Sequence, residues 1–186
     1  MAFYTKEQLK KLGFKNLGEN VLISDKTSIY GSQYIEIGDN VRIDDFCILS
    51  GSPKGILIGN NIHIACYSSL IGKETITLND FSGLSSRVSI YSSTDDYSGN
   101  FLTNPTVPEE FTNVISKPVY LGKHVIIGSN SVILPGVYLA DGIAVGSLSL
   151  VTKSFEEFKV IGGIPAKIIK ERSKNLLDIE WALKKQ

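Results

Sequence analysis

Residues 121–151 read LGKHVIIGSNSVILPGVYLADGIAVGSLSLV, and an aliphatic residue recurs in this stretch at every sixth position. The recurring residues are Leu121, Ile127, Ile133, Leu139, Val145 and Val151. A second series, four positions after each of the first five, contains Val125, Ser131, Val137, Ile143 and Ser149. A period of six fits neither the 3.6-residue turn of an α-helix nor the alternation of a long strand. The stretch is therefore a repeat whose unit is a short strand followed by a corner.

Glycines fall at the corners that this repeat requires. Gly122, Gly128, Gly136, Gly142 and Gly146 are placed where the backbone needs conformational freedom or a small side chain. Three units close one triangular turn, and successive turns stack by strand pairing at about 4.8 Å. The pattern predicts an all-β repeat protein.

Three units of the repeat, 121–126, 127–132 and 133–138, resemble the hexapeptide repeats of left-handed parallel β-helix acyltransferases. The segments VTK at 151–153 and GGIPAK at 162–167 resemble the exit from the coil in the sugar and antibiotic acetyltransferases of that family. The resemblance implies a left-handed parallel β-helix and an enzyme that uses acetyl-CoA as its acyl donor. The handedness rests on the resemblance, because periodicity alone does not define it.

The chain of 186 residues predicts a single domain with one core. We expect residues 1–20 to form an N-terminal cap, 21–154 the β-helix, and 155–186 a C-terminal helical extension. Residues 91–118 lack the six-residue spacing and are expected to form a loop. A loop of this length inside a compact repeat is usually functional.

Both ends of the chain carry helix signals. Thr5 and Gln8 have the spacing of a capping box, and Gly13 is placed to end the helix that they begin. At the other end, the aliphatic residues of 166–184 predict a helix that covers the coil of its own or a neighbouring chain. The sequence thus predicts short helices at both termini.

Charge and composition exclude several classes of partner. Nineteen basic and nineteen acidic residues give no net field, so nucleic acid is not an expected partner. The chain has no signal-peptide core and no run of eighteen apolar residues, so we expect a cytoplasmic protein without membrane insertion. Cys47 and Cys66 lack Cys-X-X-Cys spacing, which favours reduced thiols over a disulfide or a metal site.

The two histidines occupy different kinds of position. His63 lies between Ile62 and Ile64, which should point inward, so its own side chain should point out of the coil. An outward imidazole could act as the general base for an acceptor hydroxyl or amine, and the alternative is a solvated histidine. His124 lies at a corner, where a side chain more often satisfies backbone groups.

The loop departs from the family pattern. In the acetyltransferases that the chain resembles, a catalytic histidine stands near the start of this loop, and the corresponding position here is Asp95. Asp95 and its neighbour Asp96 are therefore candidates to line the acceptor site or to act as the base, since adjacent carboxylates can raise one another's pKa. A turn-forming aspartate pair is the alternative. His63 could instead be the base, oriented by one of these aspartates across a groove between subunits.

The resemblance also implies the cofactor site. It places Ser129 and Ser147 on successive corners along the pantetheine arm of CoA, with Gly128 and Gly146 allowing close approach. Enzymes of this family bind their substrates in the groove between adjacent coils, so we expect a homotrimer with three equal sites.

Further cofactor residues are expected beyond the last repeat. Thr152 and Lys153 follow the end of the coil in the sequence. Lys153, Lys167 and Lys170 are then candidate cations for the 3′-phosphate and the pyrophosphate of CoA.

The function implied is an acetyl-CoA-dependent acetyltransferase whose acceptor is a nucleotide-linked or polysaccharide-precursor sugar, with oxygen and nitrogen both open as the acetylated atom. One alternative is a non-catalytic scaffold, which the missing loop histidine favours. The other is a zinc enzyme similar to γ-type carbonic anhydrases. Such a site needs three histidines per zinc, and the chain has two, so no metal is expected.

Overall fold

The six-residue repeat folds into a triangular coil whose three faces are parallel β-sheets. The computed structural model describes residues 2–185. The elements, in chain order, are α1 (Lys6–Lys11), β1 (Asn16–Leu17), β2 (Leu22–Ile23), β3 (Ser28–Tyr30), β4 (Ile35–Ile37), β5 (Val41–Ile43), β6 (Ile48–Ser50), β7 (Ile56–Ile58), β8 (Ile62–Ile64), β9 (Ser69–Ile71), β10 (Ile76–Leu78), β11 (Gly83–Leu84), β12 (Ser89–Tyr91), β13 (Ser93–Thr94), β14 (Ile115–Ser116), β15 (Val119–Leu121), β16 (Ile126–Ile127), β17 (Val132–Ile133), β18 (Tyr138–Leu139), β19 (Ala144–Val145), β20 (Leu150–Val151), β21 (Lys159–Gly163), β22 (Ala166–Glu171) and α2 (Leu176–Leu183). Two 3₁₀ helices span Ser32–Tyr34 and Glu109–Phe111.

Each face of the coil collects every third strand, apart from the loop strands β13 and β14 and the last two strands, β21 and β22. Face 1 contains β1, β4, β7, β10, β15 and β18; face 2 contains β2, β5, β8, β11, β16, β19, β21 and β22; face 3 contains β3, β6, β9, β12, β17 and β20. One turn of the coil brings distant residues into register, as in the row Arg42, His63 and Gly83 on face 2. The fold class expected from the sequence, a left-handed parallel β-helix with short terminal helices, is confirmed.

The core of the coil is the inner series of the repeat. Every position of the two series in residues 121–151 is buried. The two serines among them are satisfied within the corner, because the hydroxyls of Ser131 and Ser149 both donate to the carbonyl oxygen of Gly146, at 3.1 and 2.6 Å. Small hydroxyl side chains therefore fill the core where it meets a corner.

The N-terminal helix forms as the sequence predicts. The hydroxyl oxygen of Thr5 accepts a hydrogen bond from the backbone N–H of Gln8, and the side chain of Gln8 accepts one from the N–H of Thr5. Leu9 is buried against the end of the core. The coil begins earlier than expected, inside the span assigned to the cap, because β1 already pairs with β4.

The C-terminal segment corrects one sequence prediction. A single helix over residues 166–184 is wrong, because Ala166–Glu171 is a strand paired antiparallel with β21. Strand β21 in turn continues face 2 beside β19, so β22 obtains its backbone partners from the sheet. The adjacent β-branched residues Ile168 and Ile169 suit a strand, and the helix is limited to α2. Neither helix in residues 2–185 has the length and apolar content needed to cross a bilayer.

Polar contacts attach α2 to the coil. The Nε2 atom of His124 lies 2.6 Å from Oε2 of Glu180, and the imidazole stacks on Phe81 with ring centroids 5.1 Å apart. The guanidinium of Arg172 donates to the carbonyl oxygens of His124 and Gly142, at 2.8 and 3.0 Å. His124 therefore has a structural role at its corner.

Candidate active site

His63 points outward from β8, as the alternation predicts, and contacts a buried carboxylate. Its Nε2 atom lies 2.8 Å from Oδ2 of Asp44, whose Oδ1 accepts a hydrogen bond from Nε of Arg42 at 2.8 Å. Burial acts to raise the pKa of Asp44, but the hydrogen bonds from Arg42 and His63 outweigh it and hold the pKa below its ordinary value. The ionised carboxylate favours a proton on Nε2, which leaves Nδ1 as the acceptor in the neutral ring.

The sequence did not identify Asp44 as a site residue. The sequence predicted that Asp95 or Asp96 orients His63. Within one chain, the carboxylate that contacts the His63 imidazole is that of Asp44. Asp44 lies one turn before His63 in the coil. The stacking of β5 beside β8 was the signal that could have found it. A contact between His63 and a loop aspartate of another subunit stays a prediction.

A hollow of about 400 Å³ lies beside His63 on face 2 and the corner that follows it. It is lined by His63, Ala65, Gly83, Leu84, Ser85, Ser86, Ile126 and Ser129. Gly83, Ser85 and Ser86 were missed at the sequence level, although Ser85-Ser86 stands at the corner position that Gly128-Ser129 fills one turn later. The hollow combines an imidazole, hydroxyls and apolar surface in one small volume.

Three pairs of small residues stack at this corner, and we name them the serine corner: 85–86, 128–129 and 146–147. The carbonyl of Ser86 accepts from the N–H of Asn130 at 3.1 Å, and that of Ser129 accepts from the N–H of Leu148 at 2.9 Å. The structure therefore brings Gly128, Ser129, Gly146 and Ser147 into one column that ends at the hollow.

The two glycines of this column differ in what they do. A Cβ on Gly128 would lie 2.4 Å from the backbone nitrogen of Ser147, so the coil itself requires glycine there. A Cβ on Gly146 would meet nothing closer than 3.5 Å. The coil therefore requires glycine at position 128 but leaves room for a larger residue at position 146.

The predicted phosphate-binding residues fall in two places. Thr152 and Lys153 follow β20 and stand at the next corner, where the Lys153 ammonium lies 5.6 Å from the ring centre of Phe155. Lys167 and Lys170 are exposed on β22. Strand β22 borders the serine corner, because its partner strand β21 ends at Gly163, whose N–H donates to the hydroxyl of Ser149 at 3.2 Å.

The loop of residues 91–118 has an ordered stem. Strands β13 and β14 pair antiparallel at its base, and Asp95 follows β13 directly. Asp95 lines a cleft of about 740 Å³ between the loop and the coil, together with Lys73 and Glu109. The stem fixes the position of Asp95 at the entrance to the loop.

Asp96 does not have the raised pKa that the sequence suggested. Hydrogen bonds from the backbone and hydroxyl of Ser98, at 2.8 and 2.6 Å, and from Asn113, at 3.2 Å, occupy both carboxylate oxygens. The bonds from Ser98 are the main reason that the pKa lies below its ordinary value. Asp96 is therefore suited to stabilise the loop, which was the alternative interpretation of the aspartate pair.

Other reactive side chains are few in the described region. Cys47 and Cys66 are free thiols, and burial raises the pKa of Cys47 to about 11. Within residues 2–185, no three His, Cys, Asp or Glu side chains are grouped so as to hold a metal ion. The chemistry available at the hollow is thus that of an imidazole, a carboxylate and serine hydroxyls.

No family model matches the chain. Among curated relatives, a dTDP-4-amino-4,6-dideoxy-D-glucose acyltransferase from Escherichia coli is 56% identical over 99% of this chain and 96% of its own length. A putative lipopolysaccharide biosynthesis O-acetyl transferase, WbbJ, from Escherichia coli K12 is 31% identical over 86% of this chain and 72% of its own length.

Solved structures of AntD, an N-acyltransferase from Bacillus cereus, have the same fold. Its complex with dTDP and 3-hydroxybutyryl-CoA superposes with a TM-score of 0.94 at 45% identity, covering 98% of this chain and 96% of AntD. A serine-to-alanine variant of AntD, in complex with dTDP-4-amino-4,6-dideoxyglucose and CoA, gives 0.96 at 46% identity, covering 99% and 98%. An aspartate-to-alanine variant with dTDP and CoA gives 0.95 at 46% identity, covering 98% and 97%. The chain is thus an acyltransferase and belongs to the left-handed β-helix acyltransferases that include the Escherichia coli enzyme.

Proposed function

We propose that the chain transfers an acetyl group from acetyl-CoA to the amino group of a dTDP-linked 4-amino-4,6-dideoxy sugar, in the cytoplasm and as a homotrimer. The observation that carries the proposal is the serine corner, which runs along the coil and ends at the hollow beside His63. The acceptor is proposed from the 56% identity to an acyltransferase named for this substrate.

The chemistry requires an amine, a thioester and a proton acceptor. The neutral amine attacks the thioester carbonyl and forms the C–N bond, a tetrahedral oxyanion results, and collapse breaks the C–S bond. The amine loses one proton, and the CoA thiolate takes one. His63 receives the amine proton, while the Ser85 hydroxyl or a backbone N–H of the corner donates to the oxyanion.

Cofactor binding follows the column of small residues. The pantetheine arm lies against Ser147 and Ser129 with its thioester at Ser85, and Gly146 gives it room. Lys167, which pairs with Gly162 across β21 and β22, meets the phosphates in this proposal, and Lys170 follows further along the strand. Thr152 and Lys153 bind the adenosine end from the next corner.

The variants of AntD support a role for Ser85 and Asp95. The substituted serine and aspartate in those structures stand ten positions apart. This chain has the same spacing between Ser85 and Asp95, and again between Ser86 and Asp96. Because Asp96 is bonded within the loop and the thiol of Cys66 donates to the Ser86 hydroxyl at 3.4 Å, we assign the function to the first pair.

The two halves of this site lie on different parts of one chain. His63 and Ser85 belong to face 2 and its corner, whereas Asp95 follows face 3 at the base of the loop. In a homotrimer the loop of one subunit reaches the hollow of the next, and Asp95 then orients the acceptor amine there.

The experiment is product analysis. The protein is incubated with acetyl-CoA and dTDP-4-amino-4,6-dideoxyglucose, and the free thiol and the acetylated nucleotide sugar are quantified by absorbance and mass spectrometry. The expected result is one thiol released per amide formed. The control acceptor carries a hydroxyl at carbon 4 in place of the amine and should give no product. Absence of acetylated amine at high enzyme concentration would contradict the proposal, and acetylation of the hydroxyl control would indicate O-acetyl transfer.

A further inference from the structure

Gly83 interrupts the outer surface of face 2. The outward residues of this face form a row in register across the strands: Leu22, Arg42, His63, Gly83, Ile126, Ala144 and Val160. Gly83 is the member without a side chain, and it lies directly between His63 and Ile126. Gly83 is one of the residues that line the hollow, and its lack of a side chain leaves space there.

The fold itself does not require glycine at this position. Gly83 has no left-handed φ, and a Cβ built on it would meet only the carbonyl oxygen of His63, at 3.7 Å, an ordinary contact. Glycine inside a regular element costs about 0.5–1 kcal/mol relative to alanine. A strand glycine without a conformational reason often marks a place where a ligand approaches the backbone closely.

The surroundings of Gly83 define what could fill the space. Ile126 and Ala65 contribute apolar surface to the hollow, and His63 and Ser85 contribute polar groups. The serine corner leads into the hollow from Ser129. A group that arrives along this path ends over Gly83.

We propose, on the basis of the function proposed above, that Gly83 sets the size of the acyl group, because the space over it holds the acyl chain of the donor thioester. The ligand is a short acyl chain of two to about four carbons, with its carbonyl near Ser85 and its methyl end between Ile126 and His63. The wild-type protein then transfers a four-carbon acyl group as well as acetyl.

The test compares two donors in three proteins. The values of kcat/KM for acetyl-CoA and butyryl-CoA are measured with the same amino-sugar acceptor for the wild type, Gly83→Ala and Gly83→Val. We expect the ratio of butyryl to acetyl transfer to fall about tenfold or more in Gly83→Val and less in Gly83→Ala, since misfit of a methylene or two is worth about that factor. Ala144→Val adds bulk to the same row beyond Ile126 and should leave the ratio unchanged.

A binding measurement separates the acyl pocket from the rest of the cofactor site. Calorimetry should show that Gly83→Val binds butyryl-CoA more weakly than the wild type does. Its affinity for free CoA should stay within about twofold of the wild-type value, because the two ligands differ only in the acyl chain. Circular dichroism melting verifies that the variants fold.

Two outcomes would overturn the inference: wild-type protein that cannot use butyryl-CoA, or an unchanged ratio in Gly83→Val, whether both donors keep their values or lose equally. Each of these leaves the proposed function standing if acetyl transfer to the amine is observed. If the wild type did not transfer acetyl groups to the amine, that result would contradict the proposed function, and the role of Gly83, which rests on it, would be contradicted too.

Discussion

Asp44 joins an arginine and a histidine on neighbouring turns of the coil. Its carboxylate is buried, whereas about half of the His63 side chain is exposed at the hollow. A buried anion that contacts an accessible imidazole fixes the orientation of the ring. This is the arrangement expected of a general base that must receive a proton from an acceptor amine.

Substitution of His63 tests that role. His63→Ala should lower turnover about a hundredfold, the usual contribution of a general base, and leave CoA affinity unchanged. Asp44→Asn should lower turnover less than His63→Ala does. It should also shift the pH profile of kcat, because it removes the negative charge beside the imidazole but keeps the shape of the side chain. Steady-state kinetics from pH 5.5 to pH 9 would check both. Wild-type turnover in His63→Ala would exclude it as the base and leave Asp95, or an amine already neutral at the working pH.

The lysines on β22 allow a second test. Lys167→Glu should weaken CoA binding about tenfold at low ionic strength, because an anion would face the phosphates. Lys10→Glu, on α1 at the opposite end of the coil, is the matched control and should have no effect. Calorimetry at low and high salt measures both, and equal CoA affinity in the two variants would place the phosphates elsewhere.

The sequence predicted individual residues well where the repeat decides them. Ile127, Ile133 and Leu139 are fully buried, and His63 points outward, because a six-residue period assigns each side chain to the inside or the outside. Asp44 and Ser85 were not found. The importance of Asp44 and Ser85 depends on which residues one turn of the coil stacks beside His63. Insertions at two corners change the spacing between stacked residues, so the sequence alone does not show which residues are neighbours.

At the scale of elements, α2 is attached to the coil chiefly through one polar cluster. None of its residues is fully buried, and Glu180 contacts His124 and the ammonium of Lys184. Hydrogen bonds from Lys184 first, and from His124 second, hold the pKa of Glu180 below its ordinary value. The position of α2 therefore depends on the charge of Glu180.

Substitution of His124 should release α2 without disturbing the corner. His124 has a φ of 59°, so His124→Asn is the suitable variant, because asparagine tolerates the left-handed conformation. We expect it to reduce the free energy of unfolding by about 1.5–3 kcal/mol, the value of a hydrogen bond to a charged group. Denaturant melts of His124→Asn, Glu180→Gln and the double variant check this, and additive effects would show that the pair is not coupled.

The pH dependence of this contact has a definite sign. A carboxyl group whose pKa is lower in the folded state stabilises the fold above its unfolded pKa, and that stability is lost as the pH falls through the folded pKa. The difference in Tm between wild type and Glu180→Gln should therefore be present at pH 7 and shrink below about pH 4.5. A difference that grows on acidification would contradict the assignment.

The elements at the two ends of the chain show where sequence patterns are ambiguous. The capping box at Thr5 and Gln8 is a local signal, and it forms α1 as expected. The sequence predicts a helix that includes residues 166–171, because a short run of aliphatic residues fits either a helix or a strand. The antiparallel pairing with β21 decides in favour of a strand, and that partner becomes available only once face 2 is complete.

In the whole molecule, His63 lies on the coil and Asp95 lies at the base of the loop of residues 91–118. A homotrimer that places the loop of one subunit against face 2 of the next would assemble a complete site at each interface. Light scattering should give three times the chain mass of 20.3 kDa. A stable monomer with full activity would contradict this assembly.

Mixed trimers provide the sharper test of shared sites. Coexpression of His63→Ala and Asp95→Asn chains should restore activity at about a quarter of the sites, because each site needs one intact residue from each of two neighbours. If both residues acted within one chain, no mixed trimer would contain an intact site, and activity would stay at the level of the single variants.

A crystal structure with CoA and dTDP-4-amino-4,6-dideoxyglucose would show whether acyl transfer takes place at the hollow beside His63. We expect electron density for the pantetheine arm along the serine corner, with the thiol at Ser85 and the amine of the sugar within hydrogen-bonding distance of His63 or of Asp95 of the adjacent subunit. Density for CoA at another face of the coil, with the hollow unfilled, would contradict it.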